Sequence, residues 1–315
     1  MIAFEEITAA RERIAGAVLR TPLVRLQLPE APAEIYLKLE NLQPIGSFKL
    51  RGALNAVKQI PRSELAEGVV TASAGNMGQG LAWAAREVDV PCTVVVPESA
   101  AETKLAAIER LGGKIVKVPY ERWWETMETS TTPSASGRFV HPVENEGMMA
   151  GNGTIGIEIL EDLPDPDAIL VPFGGGGLGV GIASAVKALR PNVPVFAVEP
   201  QPAAAFTASF AAGEPREVEG TQTFVDGSGS PRLLPKMWPL AREALDGAFA
   251  VPIDDAAAAV RLLVNRARIV AEGAGALALA AALAGRAGSG KVVCIVSGGN
   301  IDEAKLRTIL SGKTP

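Results

Sequence analysis

The chain has 315 residues, of which 48% are hydrophobic and 21% charged, and its formal net charge is −5. This length is sufficient for one large domain or two modest ones. The acidic balance argues against nucleic acid or an anionic membrane as the main partner, because both bind basic surfaces. No apolar run is long enough to span a membrane, and the N-terminus does not resemble a signal peptide. Cys92 and Cys294 lie in apolar runs typical of buried strands in a reduced compartment, so we expect a cytoplasmic protein.

Short β-rich runs alternate with segments rich in Ala, Leu and Glu along the chain. Most of the β-rich runs are continuously apolar, which is typical of buried parallel strands. The predicted strands cover residues 35–40, 69–73, 92–97, 114–118, 168–173, 193–198 and 291–296. The predicted helices lie near residues 49–58, 78–88, 101–111, 153–162, 178–189, 256–271 and 273–285. This alternation predicts an α/β fold.

Two irregular segments interrupt the alternation. Residues 120–137 begin with a helical aromatic patch and continue into a Ser/Thr/Pro-rich stretch. This pattern is typical of a flexible loop or a lid with an apolar face, although Trp123 and Trp124 could equally pack on a neighbouring surface. Residues 213–235 are rich in Gly and Pro, and we interpret them as a functional loop.

Lys49 is the most informative residue of the chain, because a lysine is normally solvated. It stands in the run GSFKLRGA, after the apolar strand 35–40 and a bend at 44–46. This setting places the amine at the edge of a core, where poor solvation lowers its pKa. A neutral amine can form a Schiff base with an aldehyde, and pyridoxal phosphate (PLP) is the aldehyde that proteins use in this way. The alternative is a half-exposed lysine at a helix start.

A glycine-rich loop joins a predicted strand to a predicted helix in the segment VPFGGGGLG. Free N–H groups at a helix N-terminus bind phosphate, and glycine allows the phosphate to approach the backbone closely. Four consecutive glycines, Gly174 to Gly177, favour a tight loop around one phosphate monoester. Gly174, Gly176 and Gly179 also satisfy the spacing G-x-G-x-x-G, with Glu199 about 20 residues further on. From this loop alone, a dinucleotide-binding unit is an equal alternative.

A second strand-to-helix turn, TASAGNMGQG at residues 71–80, offers a site for another anion. Its small residues expose backbone N–H groups at a helix start, and a substrate carboxylate is the natural ligand. Asn76 has an amide that could donate a hydrogen bond to a phenolate oxygen. The alternative is an ordinary N-capping turn, since Ser and Asn are common caps.

A third turn follows the last predicted strand, in the segment CIVSGGN at residues 294–300. Ser297 can hydrogen-bond a pyridine nitrogen without carrying a charge, which leaves the ring a shallower electron sink than an Asp would. This arrangement favours elimination over transamination. The single histidine, His141, excludes two-histidine metal sites, and the run Phe-Val-His-Pro favours a strand end over a catalytic role.

Together, these segments resemble the fold-type II PLP enzymes of the threonine/serine dehydratase and serine racemase group. The resemblance covers nearly the whole chain and is most specific in ENLQPIGSFKLRGA (residues 40–53), the tetraglycine loop and SGGN. It implies a tryptophan synthase β-like fold of two open α/β domains with the cofactor between them. Residues 1–67 and 145–315 would form the large PLP-binding domain, and residues 68–144 a small, mobile substrate-binding domain.

The same resemblance implies roles for individual residues. Lys49 would be the catalytic residue and would carry PLP as a Schiff base, while Asn76 would contact the ring hydroxyl and Ser297 the ring nitrogen. For Glu272, a helix-start carboxylate without a cofactor contact is an equal alternative. The implied cofactor contacts are Lys49, Phe48, Asn76, Gly174, Gly175, Gly176, Gly177, Leu178, Glu272, Ser297 and Gly298. The implied substrate contacts are Ser73, Ala74, Gly75, Asn76, Met77 and Val143.

The implied reaction is an α,β-elimination that converts a β-hydroxy amino acid into a 2-oxo acid and ammonia, with the Lys49 amine removing the α-proton. The substrate would be L-threonine, L-serine or a bulkier 3-substituted serine such as phenylserine. The alternatives are β-replacement as in cysteine synthases, a PLP-binding protein without turnover, and an NAD-binding oxidoreductase, although the last explains neither Lys49 nor Ser297. Family analogy also implies a homodimer.

The chain departs from the family pattern at three pocket positions. Racemases of this group carry a serine acid at the position of Ala74, so we expect racemisation to be absent or slow. Met77 replaces a histidine, and Val143 stands where relatives often have Phe or Asn. Both changes make the pocket more apolar and suggest room for a larger apolar β-substituent.

A cation site is the fourth departure. Many relatives bind a divalent cation near the segment that matches TFVDG at residues 223–227. Asp226 and the backbone carbonyl of Val225 are retained, but Gln222 stands at the position of the acidic partner, which weakens a hard-cation site. Whether a divalent or monovalent cation binds therefore stays open. Feedback-regulated relatives carry a regulatory module after the catalytic part, and none follows residue 315 here, so we expect a catabolic or unregulated enzyme.

Overall fold

The computed structural model describes residues 1–221 and 223–315, which form two β-sheets flanked by helices. The strands are β1 (Leu23–Arg25), β2 (Glu34–Lys38), β3 (Val69–Ala72), β4 (Cys92–Pro97), β5 (Lys114–Val118), β6 (Arg138–Phe139), β7 (Ala168–Pro172), β8 (Val195–Pro200), β9 (Gly247–Val251) and β10 (Lys291–Ile295). The helices are α1 (Phe4–Ile14), α2 (Lys49–Lys58), α3 (Asn76–Glu87), α4 (Glu102–Arg110), α5 (Tyr120–Thr129), α6 (Glu146–Asp162), α7 (Gly177–Leu189), α8 (Ala205–Ala212), α9 (Met237–Ala244), α10 (Ile253–Leu262), α11 (Gly273–Leu283) and α12 (Glu303–Leu310).

Six strands form the larger sheet in the order β1-β2-β10-β7-β8-β9. All neighbouring strands are parallel except β1 and β2. In the central strand β10, Cys294 lies opposite Leu37 of β2 and Leu170 of β7, and all three are buried with α11 against one face. Val293 and Ile295, which point the other way, are buried with α6 and α7. Helices on both faces explain why β7 and most of β10 are apolar.

The smaller sheet has four parallel strands in the order β5-β4-β3-β6. These strands lie between residues 69 and 139, inside the range 68–144 predicted for the small domain. Helix α3 follows the central strand β3 and is buried along most of its length, with Leu81 and Trp83 in the core. The division into two domains, and the mobility of the smaller one, stay predictions.

A buried cluster of charges fixes α2 between its neighbours. Arg51 of α2 binds both carboxylate oxygens of Glu40, at 2.8 and 2.9 Å, and both of Glu158, at 2.6 and 2.8 Å. Lys38 of β2 donates to Glu158 at 2.6 Å and to the carbonyl of Thr21 at 2.7 Å. These four charged residues are at most 6% exposed. Two cations and two anions therefore compensate each other in a place where a single unpaired charge would be costly.

The predicted α/β class is confirmed, and every predicted strand is present within a few residues of its expected place. Helix α2 has the predicted bounds, whereas the helix predicted at 153–162 begins at Glu146 because Asn145 caps it, accepting from the N–H of Met148 at 2.9 Å. The single helix predicted at 256–271 is wrong. Helix α10 ends at Leu262, a π-helical turn covers Leu263–Ala267, and Arg268 has φ 61°.

Several helices and strands were not predicted from the sequence, because they are short or mixed in composition and show no clear hydrophobic periodicity. They are α1, β1, β6, α8, α9, β9 and α12. In the segment 120–137, the predicted aromatic helix is confirmed as α5, and residues 213–235 hold no named helix or strand in their described part. Across the described residues, no helix combines the length and the apolar composition needed to cross a bilayer.

The carboxyl ends of four strands converge on one region. β2, β10 and β7 are neighbours in the larger sheet, and Ser47, Ser297 and the glycine loop follow them in the chain. The peptide after β10 is joined to the segment after β2, because the N–H of Phe48 donates to the carbonyl of Ser297 at 3.0 Å. β3 of the smaller sheet delivers the turn at residues 73–76. Ligands of open parallel sheets bind at this edge, so the fold itself indicates the site.

Candidate active site

Lys49 is the first residue of α2. Gly46 turns the chain into this helix with φ 71°, a conformation that favours glycine. The Lys49 amine donates to the carbonyl of Pro142 at 3.1 Å and lies 5.3 Å from the centre of the Phe48 ring. Burial lowers the pKa of Lys49 to about 8, although the charge of Glu272 acts in the opposite direction. A sizeable fraction of the amine is therefore neutral and nucleophilic near pH 8.

The glycine loop presents unpartnered backbone donors. Among the described residues, none accepts a hydrogen bond from the N–H groups of Gly174, Gly175, Gly176, Gly177 or Leu178. Gly176 has φ 97°, and a side chain at Gly175 would collide with Val143 because its Cβ would lie 2.4 Å from a Val143 methyl. Free donors at the start of α7 form a cradle for a phosphate group.

Hydrogen bonds and packing at Phe173 fix the start of the glycine loop. Ser228 Oγ and the N–H of Gly229 both donate to the carbonyl of Phe173, at 2.5 and 2.9 Å. The Phe173 ring stacks on Phe206 with 4.4 Å between ring centres. The residue that precedes the four glycines is thus fixed by packing and hydrogen bonds, so the loop is preorganised.

The turn after β3 begins α3 at Asn76. The Asn76 amide nitrogen donates to Glu272 at 2.8 Å, and its oxygen accepts from Asn300 at 2.7 Å. Gly75 donates its N–H to Ser73 Oγ at 3.3 Å. The expected anion site at this helix start is therefore flanked by a carboxamide of fixed orientation, while Met77 is buried beside it.

Glu272 lies against Gly298, where any side chain would clash because a Cβ would lie 2.4 Å from a Glu272 carboxylate oxygen. Burial, together with the charge of Asp226, raises the pKa of Glu272 to about 7, against the opposing hydrogen bond from Asn76. Lys49 and Glu272 therefore both titrate close to neutral pH. Such paired perturbation in a cleft is typical of a functional site.

One cavity of about 460 Å³ brings most of the predicted site residues together. Its lining includes Phe48, Lys49, Ser73, Ala74, Gly75, Asn76, Met77, Val143, Gly174, Gly175, Asp226, Glu272 and Ser297. Gly176, Gly177, Leu178 and Gly298 do not line it; Gly176 to Leu178 continue the chain from Gly175, and Gly298 follows Ser297. The individual roles of these residues stay predictions, whereas their convergence is a property of the fold.

The residues near Asp226 do not favour a divalent cation. Asp226 is already paired with Lys104 of α4 and, at 3.5 Å, with Lys305 of α12. In the described ranges 1–221 and 223–315, no group of three or more His, Cys, Asp and Glu side chains could hold a metal ion. Val225 is buried, and Gln222, the residue at the position of the acidic partner, lies outside the described residues.

His141 has a structural role. Its Nδ1 accepts from the N–H groups of Val143, at 3.0 Å, and Glu144, at 2.8 Å, so the proton lies on Nε2, which faces the carbonyl of Met127 at 3.0 Å. Burial lowers the pKa of His141, so the ring is neutral at pH 7. The prediction against a catalytic histidine agrees with this arrangement, which instead shapes the turn that carries Pro142.

Glu199 decides against the dinucleotide alternative. It is fully buried at the end of β8, and its carboxylate accepts from the N–H groups of Phe206 and Thr207 and from the hydroxyl of Thr207, at 2.7 to 3.2 Å. This carboxylate caps the start of α8 and is not free for a ribose hydroxyl. The glycine loop therefore lacks the acidic partner that a dinucleotide site needs.

Sequence reasoning missed some residues of the site. The carbonyl of Pro142 is the hydrogen-bond partner of Lys49, and Asn300 orients Asn76. Leu233 and Leu234, which line the cavity, were not singled out within the functional loop predicted at 213–235, whereas Trp123 and Trp124 line it from α5, the helical part of the segment interpreted as a loop or lid. Asn300 ends the SGGN segment, so it had a signal in the sequence, whereas a backbone carbonyl such as that of Pro142 has none.

Comparisons with known proteins agree with this geometry. Residues 14–298 match the family described as "Pyridoxal-phosphate dependent enzyme". The chain belongs to this family. An L-threonine ammonia-lyase of Thermotoga maritima is 39% identical over 99% of this chain and 79% of its own length. The catabolic L-threonine dehydratase TdcB of Escherichia coli K12 is 36% identical over 98% of this chain and 96% of its own length. These relatives place this PLP-dependent enzyme in the threonine/serine dehydratase and serine racemase group.

Solved structures show the same fold. The structure of maize serine racemase superposes with a TM-score of 0.90, at 31% identity, over 99% of this chain and 97% of its own. The predicted fold-type II architecture is thereby confirmed.

The residues of the site fit PLP. The unpartnered N–H groups at Gly174 to Leu178 suit its phosphate, and Lys49 has the lowered pKa that attack on its aldehyde requires. Ser297 is almost fully buried, lines the cavity, and its hydroxyl makes no hydrogen bond to the part of the chain that is described. It is thus free to bind the ring nitrogen. PLP is the cofactor of this enzyme.

Proposed function

We propose that this enzyme eliminates water from a β-hydroxy amino acid such as L-threonine or L-serine and releases a 2-oxo acid and ammonia. The observation that carries the proposal is the convergence of Lys49, the glycine loop and Ser297 on one cavity at the carboxyl edge of the larger sheet. Relatives at 36 to 39% identity that are named threonine ammonia-lyase or dehydratase support it.

PLP, when bound, withdraws electrons from the α-carbon of the substrate and so makes its hydrogen acidic. The chain supplies the base: the Lys49 amine, with its pKa of about 8, accepts this proton near working pH. The carbonyl of Pro142, 3.1 Å from the amine, orients it while it is not covalently engaged. The β-hydroxyl is protonated as it leaves, so that loss of the α-proton and of hydroxide together removes one water. Hydrolysis of the released enamine adds one water back and gives the 2-oxo acid and ammonia.

The start of α3 holds the substrate carboxylate in this proposal. The turn at residues 73–76 is followed by the first N–H groups of a 12-residue helix, where the helix dipole favours an anion. Asn76, fixed by Glu272 and Asn300, lies at the same helix start and would contact the ring hydroxyl. An uncharged partner at Ser297 keeps the electron sink shallow, which favours elimination over transamination.

Three further features belong to the proposal. Residues 68–144 act as a small domain whose closure over the substrate excludes water. The cavity supports this, because its lining residues come from segments that follow strands of both sheets. The enzyme works in the cytoplasm, as the two free, buried cysteines favour. It assembles as a homodimer, which rests on family analogy.

The test is ammonia release without a thiol. Holoenzyme with L-threonine or L-serine should produce ammonia and 2-oxo acid in equal amounts, measured by coupled dehydrogenase assays. Lys49→Ala should abolish turnover, whereas Lys58→Ala, at the exposed far end of the same helix, should keep it. Product formation that requires an added thiol would instead support β-replacement and overturn the proposal.

A further inference from the structure

One wall of the active-site cavity is apolar and takes no part in the proposed chemistry. It is contributed by α5, the turn after β6 and the segment 213–235, and comprises Trp123, Trp124, Met127, Val143, Leu233 and Leu234. These side chains come from three separate parts of the chain: one helix carries both tryptophans and Met127, and the two leucines are consecutive residues far from Val143. Apolar side chains that face a water-filled cavity are not stabilised by burial unless a ligand covers them.

The charged side chains beside this wall are already paired. Arg232 binds Glu128 at 3.0 Å and lies over the Trp124 ring at 5.1 Å. Lys104 is paired with Asp226. An acidic substituent of the substrate would therefore meet cations whose charge is already compensated, whereas an apolar substituent meets the wall as it stands.

Val143 fixes the position of the wall relative to the reacting groups. It follows Pro142, whose carbonyl holds the Lys49 amine, and its N–H is bound to His141 at 3.0 Å. Its methyl groups press against Gly175 of the glycine loop. A substituent next to Val143 thus lies near the base and the phosphate cradle and contacts the Val143 methyl groups there.

The far part of the wall has space behind it. A second cavity of about 490 Å³ adjoins the first, and Met127, Arg232, Leu233 and Leu234 line both cavities. These side chains therefore border open space in both cavities. They can shift outward for a large substituent at less cost than core side chains, which are packed on every side.

We propose that this wall is a subsite for an aryl or branched-alkyl group on the β-carbon of the substrate. The inference rests on the proposed elimination and names its substrate class as bulky, apolar 3-substituted serines. Val143, Leu233 and Leu234 are its specificity-determining residues.

Turnover is the first test. The kcat/KM for L-threo-3-phenylserine should exceed that for L-threonine by about several-fold to a hundredfold, because burial of a phenyl ring in place of a methyl group is favourable by that factor. The double variant Leu233→Ala/Leu234→Ala should lower this ratio about tenfold. Leu310→Ala, an exposed leucine of α12, should leave it unchanged.

Binding without turnover is the second test. L-Phenylalanine carries the same phenyl group on its β-carbon but no hydroxyl, so it cannot eliminate water. Its dissociation constant, followed by tryptophan fluorescence, should be at least about tenfold below that of L-alanine in the holoenzyme and should rise in the double variant. The outcomes separate the two claims. Turnover of threonine with no preference for the aryl compounds overturns the subsite alone. Tight phenylalanine binding by an enzyme that releases no ammonia from threonine, serine or phenylserine overturns the elimination alone.

Discussion

Arg51 offers a sharp test of the account, because the structure gives it a role that the sequence did not suggest. The change is Arg51→Met, which removes the guanidinium but keeps an unbranched side chain of similar reach. It deletes two hydrogen bonds to Glu40, two to Glu158, one to Thr154 and one to the carbonyl of Leu19. The two carboxylates then share Lys38 as their remaining buried cation.

The magnitude follows from the burial of this cluster. Removal of one partner from a buried ion pair destabilises a protein by about 3–5 kcal/mol. An unfolding entropy of about 2.1 cal/mol/K per residue gives about 0.7 kcal/mol per degree for this chain length. We therefore expect the melting temperature of Arg51→Met to fall by about 5–8 °C. Because α2 begins at Lys49, we also expect kcat to fall.

Differential scanning calorimetry of the holoenzyme measures the shift. Arg307→Met is the matched control, since Arg307 forms an exposed pair with Glu303 that contributes about 0–1 kcal/mol. The melting temperature of Arg51→Lys should lie between those of the two methionine variants, because lysine keeps the charge but loses the bidentate contacts to the carboxylates. A fall of less than about 1 °C for Arg51→Met, or an equal fall for Arg307→Met, would refute the reasoning.

Three other predictions concern separate features. Burial raises the pKa of Glu199 to about 7 from 4.5, so its contribution to stability is full below pH 4.5 and is lost as the pH rises through 7. The free energy of unfolding of Glu199→Gln, measured in urea, should therefore change less with pH than that of the unmodified enzyme, by up to about 3 kcal/mol between pH 4.5 and 8. Because Ala74 cannot deliver a proton, L-serine should yield little or no D-serine by chiral chromatography, and Ala74→Ser should yield more. Because Asp226 is paired with Lys104 and Lys305, dialysis against EDTA should change kcat less than about twofold. The first prediction fails if Glu199→Gln has the same pH profile as the unmodified enzyme. The second fails if the unmodified enzyme yields as much D-serine as Ala74→Ser, and the third fails if EDTA removes activity that Mg²⁺ restores.

Local patterns were enough to predict which segments meet at the cavity. Lys49, the glycine loop and Ser297 each follow an apolar strand, and the carboxyl ends of parallel strands meet at one edge of a sheet. Their convergence could therefore be expected before any coordinates. The glycine loop alone left two alternatives. Lys49 and Ser297 argued against a dinucleotide site from the sequence, and the burial of Glu199 against α8 adds a structural argument.

Long-range pairing was beyond the sequence. The position of β10 between β2 and β7 depends on contacts between residues more than a hundred positions apart, which no local period encodes. The buried Lys38 and Arg51 also escaped, because lysine and arginine are normally exposed and their burial depends on carboxylates delivered from elsewhere. The side on which Trp123 and Trp124 pack was left open for the same reason.

The covalent attachment of PLP to Lys49 is the claim on which the rest depends. Borohydride reduction of the holoenzyme, followed by proteolysis and mass spectrometry, fixes the cofactor on its lysine and identifies the residue. The account predicts one reduced pyridoxyl group per chain, on the peptide that contains Lys49. A pyridoxyl group on any other lysine, or no modified peptide from active enzyme, would contradict it.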